Sequence, residues 1–352
     1  MELLRYLLFP LALVYGLIIR IRNVLFSVGI LPSAKFNIPV ISVGNLIAGG
    51  SGKTPMVEYL IRLLEQNEVL ATLSRGYKRT TKGYRLAGEK ETVATLGDEP
   101  LQYHEKFGKL HVAVSESRKK GINNLIKDIP ALTTVILDDA FQHRYVKPRI
   151  SILVTDYYKL FSQDWLLPVG KLREPVSGRK RADIIVVTKT PRIFSPIVRK
   201  QLLAEIKPYP GQLVCFSFIN FLAYQPVYAG RCENAALTDK PYTIIMLSGI
   251  GNPAPLQEYL RRQCTDLEKM VFPDHHNFTE KDLKVIKDKF KNLPTKRKII
   301  VTTEKDAKRL QNPEAEAILG KLPIYFVPIT FEFHPADKLV FDEAIKNSIK
   351  NL

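Results

Sequence analysis

Residues 47–54 read IAGGSGKT, a run of small residues closed by Lys53 and Thr54. The strict phosphate-loop pattern G-x-x-x-x-G-K-[ST] would place glycine where Ile47 stands. The fit is instead to the G-G-x-G-K-[ST] variant, filled by Gly49, Gly50, Ser51, Gly52, Lys53 and Thr54. Glycines let backbone N–H groups turn toward an anion, and a helix starting behind them adds partial positive charge. The stretch from Ile47 and Ala48 to Thr54 is therefore expected to cradle a nucleotide's phosphates. Lys53 would reach the outer phosphates and Thr54 would ligate Mg²⁺.

Such a loop needs an acid opposite it. VILDDAFQH ends an apolar run on Asp138, where a Walker-B carboxylate should meet Mg²⁺. Asp139 beside it adds charge, and two adjacent carboxylates at a strand end are costly without a cation. Gln142 and His143 follow closely enough to line the same cleft. Neither VTKTP nor TTEKDA satisfies the guanine motif N-K-x-D, so ATP is the expected nucleotide.

Phosphoryl transfer to an alcohol benefits from a base for the hydroxyl proton. LGDEP offers Asp98 and Glu99 in a tight turn before a helix, and FPDHHNFT offers Asp274, His275 and His276. Asp98 and His275 could pair as a carboxylate–imidazole dyad across an interdomain cleft. KLREP contributes Arg173 and Glu174, with the basic GRKR just beyond.

These residues need a scaffold. IPVISVG, VLATLS, LHVAVS, TTVILD, ISILVTD and ADIIVVTK read as strands buried on both faces, and TPMVEYLIRLLEQN has helical spacing directly behind the glycine loop. Alternating strands and helices predict an α/β fold with a parallel sheet covered by helices. The division expected is an N-terminal membrane-interface helix over 1–35, a phosphate-loop domain over 36–210, an extended linking β-ribbon over 211–234 and a smaller α/β domain over 235–352. A chain of 352 residues is long enough for two cores.

Lys and Arg number 52 against 35 Asp and Glu, a net charge of +17, which favours anionic partners. No RNA-binding aromatic signature or helix-turn-helix pattern accompanies that charge, so nucleic acid is not the expected partner. The 3 cysteines are widely spaced and suggest neither a disulfide framework nor a metal site. Tyr6–Ile19 is a run of 14 uncharged residues flanked by Arg5, Arg20 and Arg22. It is short of the roughly 20 residues that span a bilayer and suits a helix lying in the membrane interface.

GNLIAGGSGKTP, LSRGYKR, GDEP, LDDAFQHR, LREP, GIGNP, FPDHHNFT and TTEKDA follow one another in the order seen in the tetraacyldisaccharide 4′-kinases, the lipid A 4′-kinases. The chain resembles that family from its N-terminal apolar segment to about residue 310. The resemblance implies transfer of the γ-phosphate of ATP to the 4′-hydroxyl of a tetraacylated glucosamine disaccharide 1-phosphate. It places that reaction on the cytoplasmic face of the Gram-negative inner membrane, an anionic surface. It also implies a three-layer α/β/α phosphate-loop domain, a two-stranded β-ribbon to a smaller α/β domain, and an N-terminal helix docked on the bilayer.

By the same resemblance Asp98 and His275 are catalytic, Asp138 and Asp139 serve the metal, and Arg173 and Glu174 lie near nucleotide and metal. Arg75, Arg118, Gln142 and His143 are candidate headgroup contacts. Two positions depart from the family pattern: Ala140 stands where D-D-G-F-Q-H has glycine, and Lys78 where a second glycine is common. The glycine loop also resembles that of ParA/MinD-type membrane ATPases, but Ala48 stands where those carry a signature lysine.

Overall fold

The computed structural model describes the backbone of residues 2–228, 243–274 and 276–350, with side chains from residue 8 onward. It divides into two compact units, Met1–Phe218 with Phe331–Leu352, and Ile219–Thr330. The large unit is built on β1 (Val40–Gly44), β2 (Leu70–Ser74), β3 (Arg85–Leu86), β4 (His111–Val114), β5 (Thr134–Leu137), β6 (Ile150–Asp156), β7 (Ile184–Thr188), β8 (Leu213–Phe221) and β14 (Ile329–Phe333). They lie in the order β14-β8-β7-β6-β1-β5-β2-β4-β3. The run from β8 to β4 is parallel, and β3 closes one edge antiparallel.

Both faces of the sheet are covered, as the continuously apolar strands require. Ile41 and Val43 of β1 pack with Met56 and Leu60 of the helix behind the glycine loop, while Val40 turns to the opposite side with Leu73, Ile122 and Leu125. The chain enters the sheet at β1 and extends outward through β2 and β4. It then returns to β5 and crosses to β6 on the other flank of β1. A crevice opens at the carboxyl ends of strands at such a reversal, where α/β proteins bind ligands.

The smaller unit has a sheet of its own. Strands β10 (Thr243–Ser248), β11 (Asp266–Val271), β12 (Lys298–Thr303) and β13 (Ile324–Val327) are parallel, and β9 (Gln225–Pro226) pairs antiparallel with β13. Its loops are tied by charge: Asp306, fully buried, accepts from the Gly249 N–H at 2.9 Å and from Arg309 at 2.9 Å. His276 is committed to the Asp282 carboxylate at 3.0 Å and stacks on Phe272. His275 lies outside the described residues.

The linking ribbon draws its second strand from beyond 211–234. The chain leaves along β8 and returns along β14, its neighbour in the sheet, and the Leu222 N–H donates to the Pro328 carbonyl at 2.9 Å. The closing helix Pro335–Lys350, expected in the smaller domain, belongs to the large sheet instead. Phe331 and Phe333 of β14 share a face and pack edge-on against Tyr59, and Phe341 of the closing helix stacks on Phe333 at 4.4 Å. This aromatic cluster recaptures the C terminus.

The N-terminal helix α1 (Glu2–Ser27) lies within the 1–35 segment and runs beyond the 14-residue uncharged stretch at both ends. Arg22 and Asn23 interrupt the apolar run in sequence, but on the helix they face the protein body, donating to the Gln142 carbonyl and the Glu174 carboxylate. The apolar stripe continues outside through Leu11, Leu13, Val14, Leu17, Ile18, Ile21 and Val24, each more than half exposed. Leu8–Ser27 is long and apolar enough to cross a bilayer, and only 11% of its most apolar window is buried in the protein.

The two departures from the family pattern fall on different backbones. Lys78 sits at φ 62°, the left-handed region that glycine occupies without strain, whereas the positive φ of the DDAFQH turn belongs to Asp139 at 46°. Ala140 has no positive φ and is buried, its N–H bonded to the Val43 carbonyl at 3.0 Å. Lys78→Gly should therefore raise the urea midpoint, by about 0.5–1 kcal/mol of stability. Ala140→Gly should lower it by about 1 kcal/mol through lost packing and a freer unfolded chain. A shift of both variants in the same direction would contradict this assignment.

Candidate active site

The glycine loop joins β1 to helix α2 (Lys53–Leu64). Gly49 and Gly52 hold φ of 120° and 89°, which L-side chains adopt only under strain. Gly52 leaves the α2 N terminus without a side-chain cap, so the first N–H groups are directed to whatever anion lies there. Asn45, fully buried, ties the loop from inside, its amide donating to the Ile47 carbonyl at 2.5 Å and the Ser51 hydroxyl at 2.8 Å. From β7, the Thr188 hydroxyl donates to the Ser51 carbonyl at 2.7 Å. Lys189, in the left-handed region, bonds the Gly50 carbonyl at 2.5 Å and Asp156 at 2.6 Å.

The twin carboxylates after β5 have different surroundings. Asp138 is 1% exposed; one oxygen accepts from Tyr103 at 3.2 Å and Ser74 at 3.4 Å, and the other is buried with no hydrogen-bond partner. Burial, and then the negative charges of Glu99 and Asp139, push its carboxyl up to about 7, with Lys53 and Arg118 opposing. Asp139 turns away in its left-handed conformation and binds Arg173 at 2.8 and 2.9 Å, with Lys53 at 3.7 Å. Desolvation acts to raise its carboxyl, but Lys53 and Arg173 together hold it below the usual carboxylate range. The residue expected to assist Asp138 at the metal thus holds two cations of the loop.

The LGDEP turn supplies the third carboxylate. Gly97, at φ 92°, presses against the Gly76–Tyr77 backbone; a Cβ there would stand 2.9 Å from the Tyr77 carbonyl. This close approach brings the Asp98–Lys106 helix to the crevice with Asp98 exposed on its first turn. The Thr54 hydroxyl donates to Glu99 at 3.1 Å. Thr54, Glu99 and the unpartnered Asp138 oxygen form a hard-oxygen environment into which a divalent cation fits. Among the described residues no cluster of three or more His, Cys, Asp or Glu could hold a metal alone. Carboxylate and hydroxyl oxygens are the donor types Mg²⁺ takes, with water and phosphate completing its shell.

Other expected contacts have partners already. Glu174 was expected at the metal, but its carboxylate is buried and saturated by Arg181 at 2.8 Å, Gln142 at 2.9 Å and Asn23 at 3.2 Å. Arg118 is also buried, its guanidinium donating to the Ser115 and Asp138 carbonyls at 2.8 and 3.0 Å. It therefore fixes the loop that carries Asp138. Arg118 and His143 line a cleft of about 490 Å³ with Arg22, Ser117 and Lys119, while Arg75 is exposed at the end of β2. Burial, followed by the charges of Arg118 and Arg75, lowers the His143 imidazole to about 4, so it is neutral at physiological pH.

Residues 4–350 match the family model described as tetraacyldisaccharide-1-P 4′-kinase. The chain belongs to this family. The tetraacyldisaccharide 4′-kinase of Bacteroides thetaiotaomicron is 44% identical over 92% of this chain and 88% of its own. That of Flavobacterium johnsoniae is 43% identical over 99% and 98%. The crystal structure of LpxK from Aquifex aeolicus in complex with ATP superposes with a TM-score of 0.72 at 29% identity, covering 98% of this chain and 99% of that one. The two-domain phosphate-loop fold is therefore the family's fold, and the ParA/MinD-type alternative is not favoured.

Three residues without an assigned role in the sequence reading, Glu99, Asn45 and Lys189, contact the glycine loop or its Thr54. Glu99 was visible beside Asp98 in the same turn, but only folding shows that it meets Thr54. Asn45 precedes the glycines in the GNLIAGGSGKTP motif, and a buried amide behind a glycine loop is the signal that could have found it. Lys189 left no such trace.

Asp138 gives this site a pH signature. Its folded pKa near 7 lies above the ordinary value of 3.8, so between those values the folded state keeps a proton that the unfolded state releases. Its contribution to the nucleotide-free protein therefore declines as pH rises through that window. Asp138→Asn should be more stable than the parent at pH 8, and the difference should vanish toward pH 4. The same variant should lose the stabilisation that MgATP gives the parent. Thermal melts at both pH values check this, and equal pH slopes for the two proteins would refute it.

Proposed function

We propose that the chain transfers the γ-phosphate of ATP to the 4′-hydroxyl of a tetraacyldisaccharide 1-phosphate lipid, as its family name implies. The observation that carries the reading is the buried, unpartnered carboxylate oxygen of Asp138, on a carboxylate that feels the charges of Glu99, the acceptor of Thr54, and of Lys53 from the glycine loop. A protein that binds no metal–nucleotide complex would have little reason to keep it there.

In this reading the loop amides and Lys53 hold the phosphates, and Thr54 and Asp138 hold Mg²⁺, with Glu99 as Thr54's acceptor. When bound, Mg²⁺ neutralises charge on the phosphate oxygens. Asp139 keeps Lys53 and Arg173 in place until the phosphates arrive to share them. Asp98 accepts the proton of the sugar hydroxyl as its oxygen bonds to phosphorus and the β–γ bridge breaks to release ADP. His275 is assigned as its partner by the family motif. Arg118 and His143 offer the headgroup a basic cleft with a neutral imidazole hydrogen-bonding partner, and Arg75 adds charge outside it.

Each buried CH₂ of an acyl chain is worth about 0.8 kcal/mol, so a tetraacylated lipid does not leave its bilayer and the enzyme must come to it. The outer stripe of α1 and the net charge of +17 suit the anionic cytoplasmic face of an inner membrane.

Incubation with MgATP and the disaccharide 1-phosphate lipid in micelles should add one phosphate to the distal sugar, read by mass spectrometry. An unmodified lipid, with nucleotide binding intact, would defeat the reading. Asp98→Ala should lower kcat by about 10²–10⁴-fold, the range of general-base catalysis, while leaving ATP affinity within about twofold. Loss of ATP affinity instead would reassign Asp98 to the nucleotide.

A further inference from the structure

Helix α1 is joined to the phosphate loop by two separate hydrogen-bond chains, both on the face opposite its exposed apolar stripe. In the first, the Tyr15 hydroxyl donates to the Arg173 carbonyl at 2.6 Å. The segment carrying that carbonyl is paired with the start of the loop: the Arg173 N–H donates to the Leu46 carbonyl at 2.8 Å, and the Ala48 N–H to the Lys171 carbonyl at 2.8 Å. Ile47 and Leu172 form the antiparallel bridge between them. The Arg173 side chain then reaches Asp139, which reaches Lys53.

In the second chain, the Asn23 amide donates to Glu174 at 3.2 Å. Gln142 donates both to Glu174 at 2.9 Å and to the Asn45 carbonyl at 2.8 Å. The Asn45 side chain is the one that ties the Ile47 carbonyl and the Ser51 hydroxyl from inside the loop. Both routes run through side chains that are at least partly buried, where an unmade hydrogen bond is costly.

The seat of α1 on the body is slight. Among its described residues only Ala12, Gly16 and Phe26 are buried, and the Arg22 and Arg144 guanidinium groups each lie 5.1 Å from the Phe26 ring. A helix held by hydrogen bonds more than by apolar packing, with its apolar stripe exposed, gains orientation once that stripe is in lipid. Whatever fixes its inner face also fixes the loop bonded to it, and such coupling is reciprocal.

We propose that Tyr15 and Asn23 are positioning residues through which the seating of α1 on a bilayer tightens nucleotide binding at the phosphate loop. The proposal rests on the reading of α1 as a bilayer-facing helix and of the loop as an ATP site. It adds that the two are one device: the kinase holds nucleotide most tightly where its acceptor lipid lives.

The test uses the full chain, a fluorescent ATP analogue with Mg²⁺, and no acceptor lipid. Affinity is measured in neutral detergent and on phosphatidylglycerol–phosphatidylcholine vesicles. The parent should bind about five- to tenfold more tightly on vesicles, the lower part of the usual range of coupling. Tyr15→Phe with Asn23→Ala should sediment with vesicles like the parent yet gain less than about twofold. Each single variant should keep part of the gain, so the series remains readable if the double variant folds poorly. A role confined to stability would weaken binding equally in both settings and leave their ratio unchanged, which would overturn the proposal, as would a parent with equal affinity in both. Failure to phosphorylate the disaccharide lipid while the ratio persists would remove the proposed reaction and leave this coupling standing. Nucleotide bound in neither setting would overturn both.

Discussion

A carboxylate with one oxygen buried and unanswered is the constraint around which this large domain is arranged. Asp138 cannot be solvated where it sits, and Glu99 and Asp139 add charge of its own sign. Two groups relieve it from the protein side: Lys53 from the glycine loop and Arg118, which holds the backbone of the same turn. Neither reaches the free oxygen. The remaining deficit is of the kind a divalent cation would relieve, which is the ligand the proposed function brings to this site.

The same constraint explains why Asp139 is not a second copy of Asp138. Two adjacent carboxylates aimed at one point would repel, and the chain separates them by turning Asp139 through a left-handed residue toward Arg173 and Lys53. The turn places the strain on Asp139 and leaves Ala140 in an ordinary conformation, so alanine can stand where the family has glycine. At Lys78 no such displacement occurs, and the lysine carries the left-handed φ itself.

The parts of this architecture legible in the sequence are those whose cause is local. The strands could be read because burial on both faces demands unbroken apolar runs, and the glycine loop because its backbone requirement is written in consecutive residues. Asp138 could be read because it ends such a run. Glu174 could not: its partners Asn23, Gln142 and Arg181 come from three separate segments, and only folding shows that they saturate it. Arg118 was read as a candidate headgroup contact, and only folding shows that it is buried and also braces the turn that carries Asp138. The closing helix was assigned to the wrong domain because its apolar positions carry no address; the stacking of Phe341 on Phe333 supplies one only after β14 is in place.

Helix α1 shows what the interruptions of an apolar run record. Arg20, Arg22 and Asn23 end the uncharged run, yet a helix returns to the same face every 3.6 residues, so Arg22 and Asn23 fall inward while Ile21 and Val24 extend the outer stripe. Polar residues within an apolar helix are thus a record of what its inner face must touch. Here that face touches the segments that flank the phosphate loop, and not a remote part of the surface. An anchor needed only for residence at a membrane could attach anywhere through a flexible linker. A helix that donates directly to the Arg173 carbonyl and the Glu174 carboxylate has its orientation tied to the segments flanking the glycine loop, which is the link the proposed coupling uses.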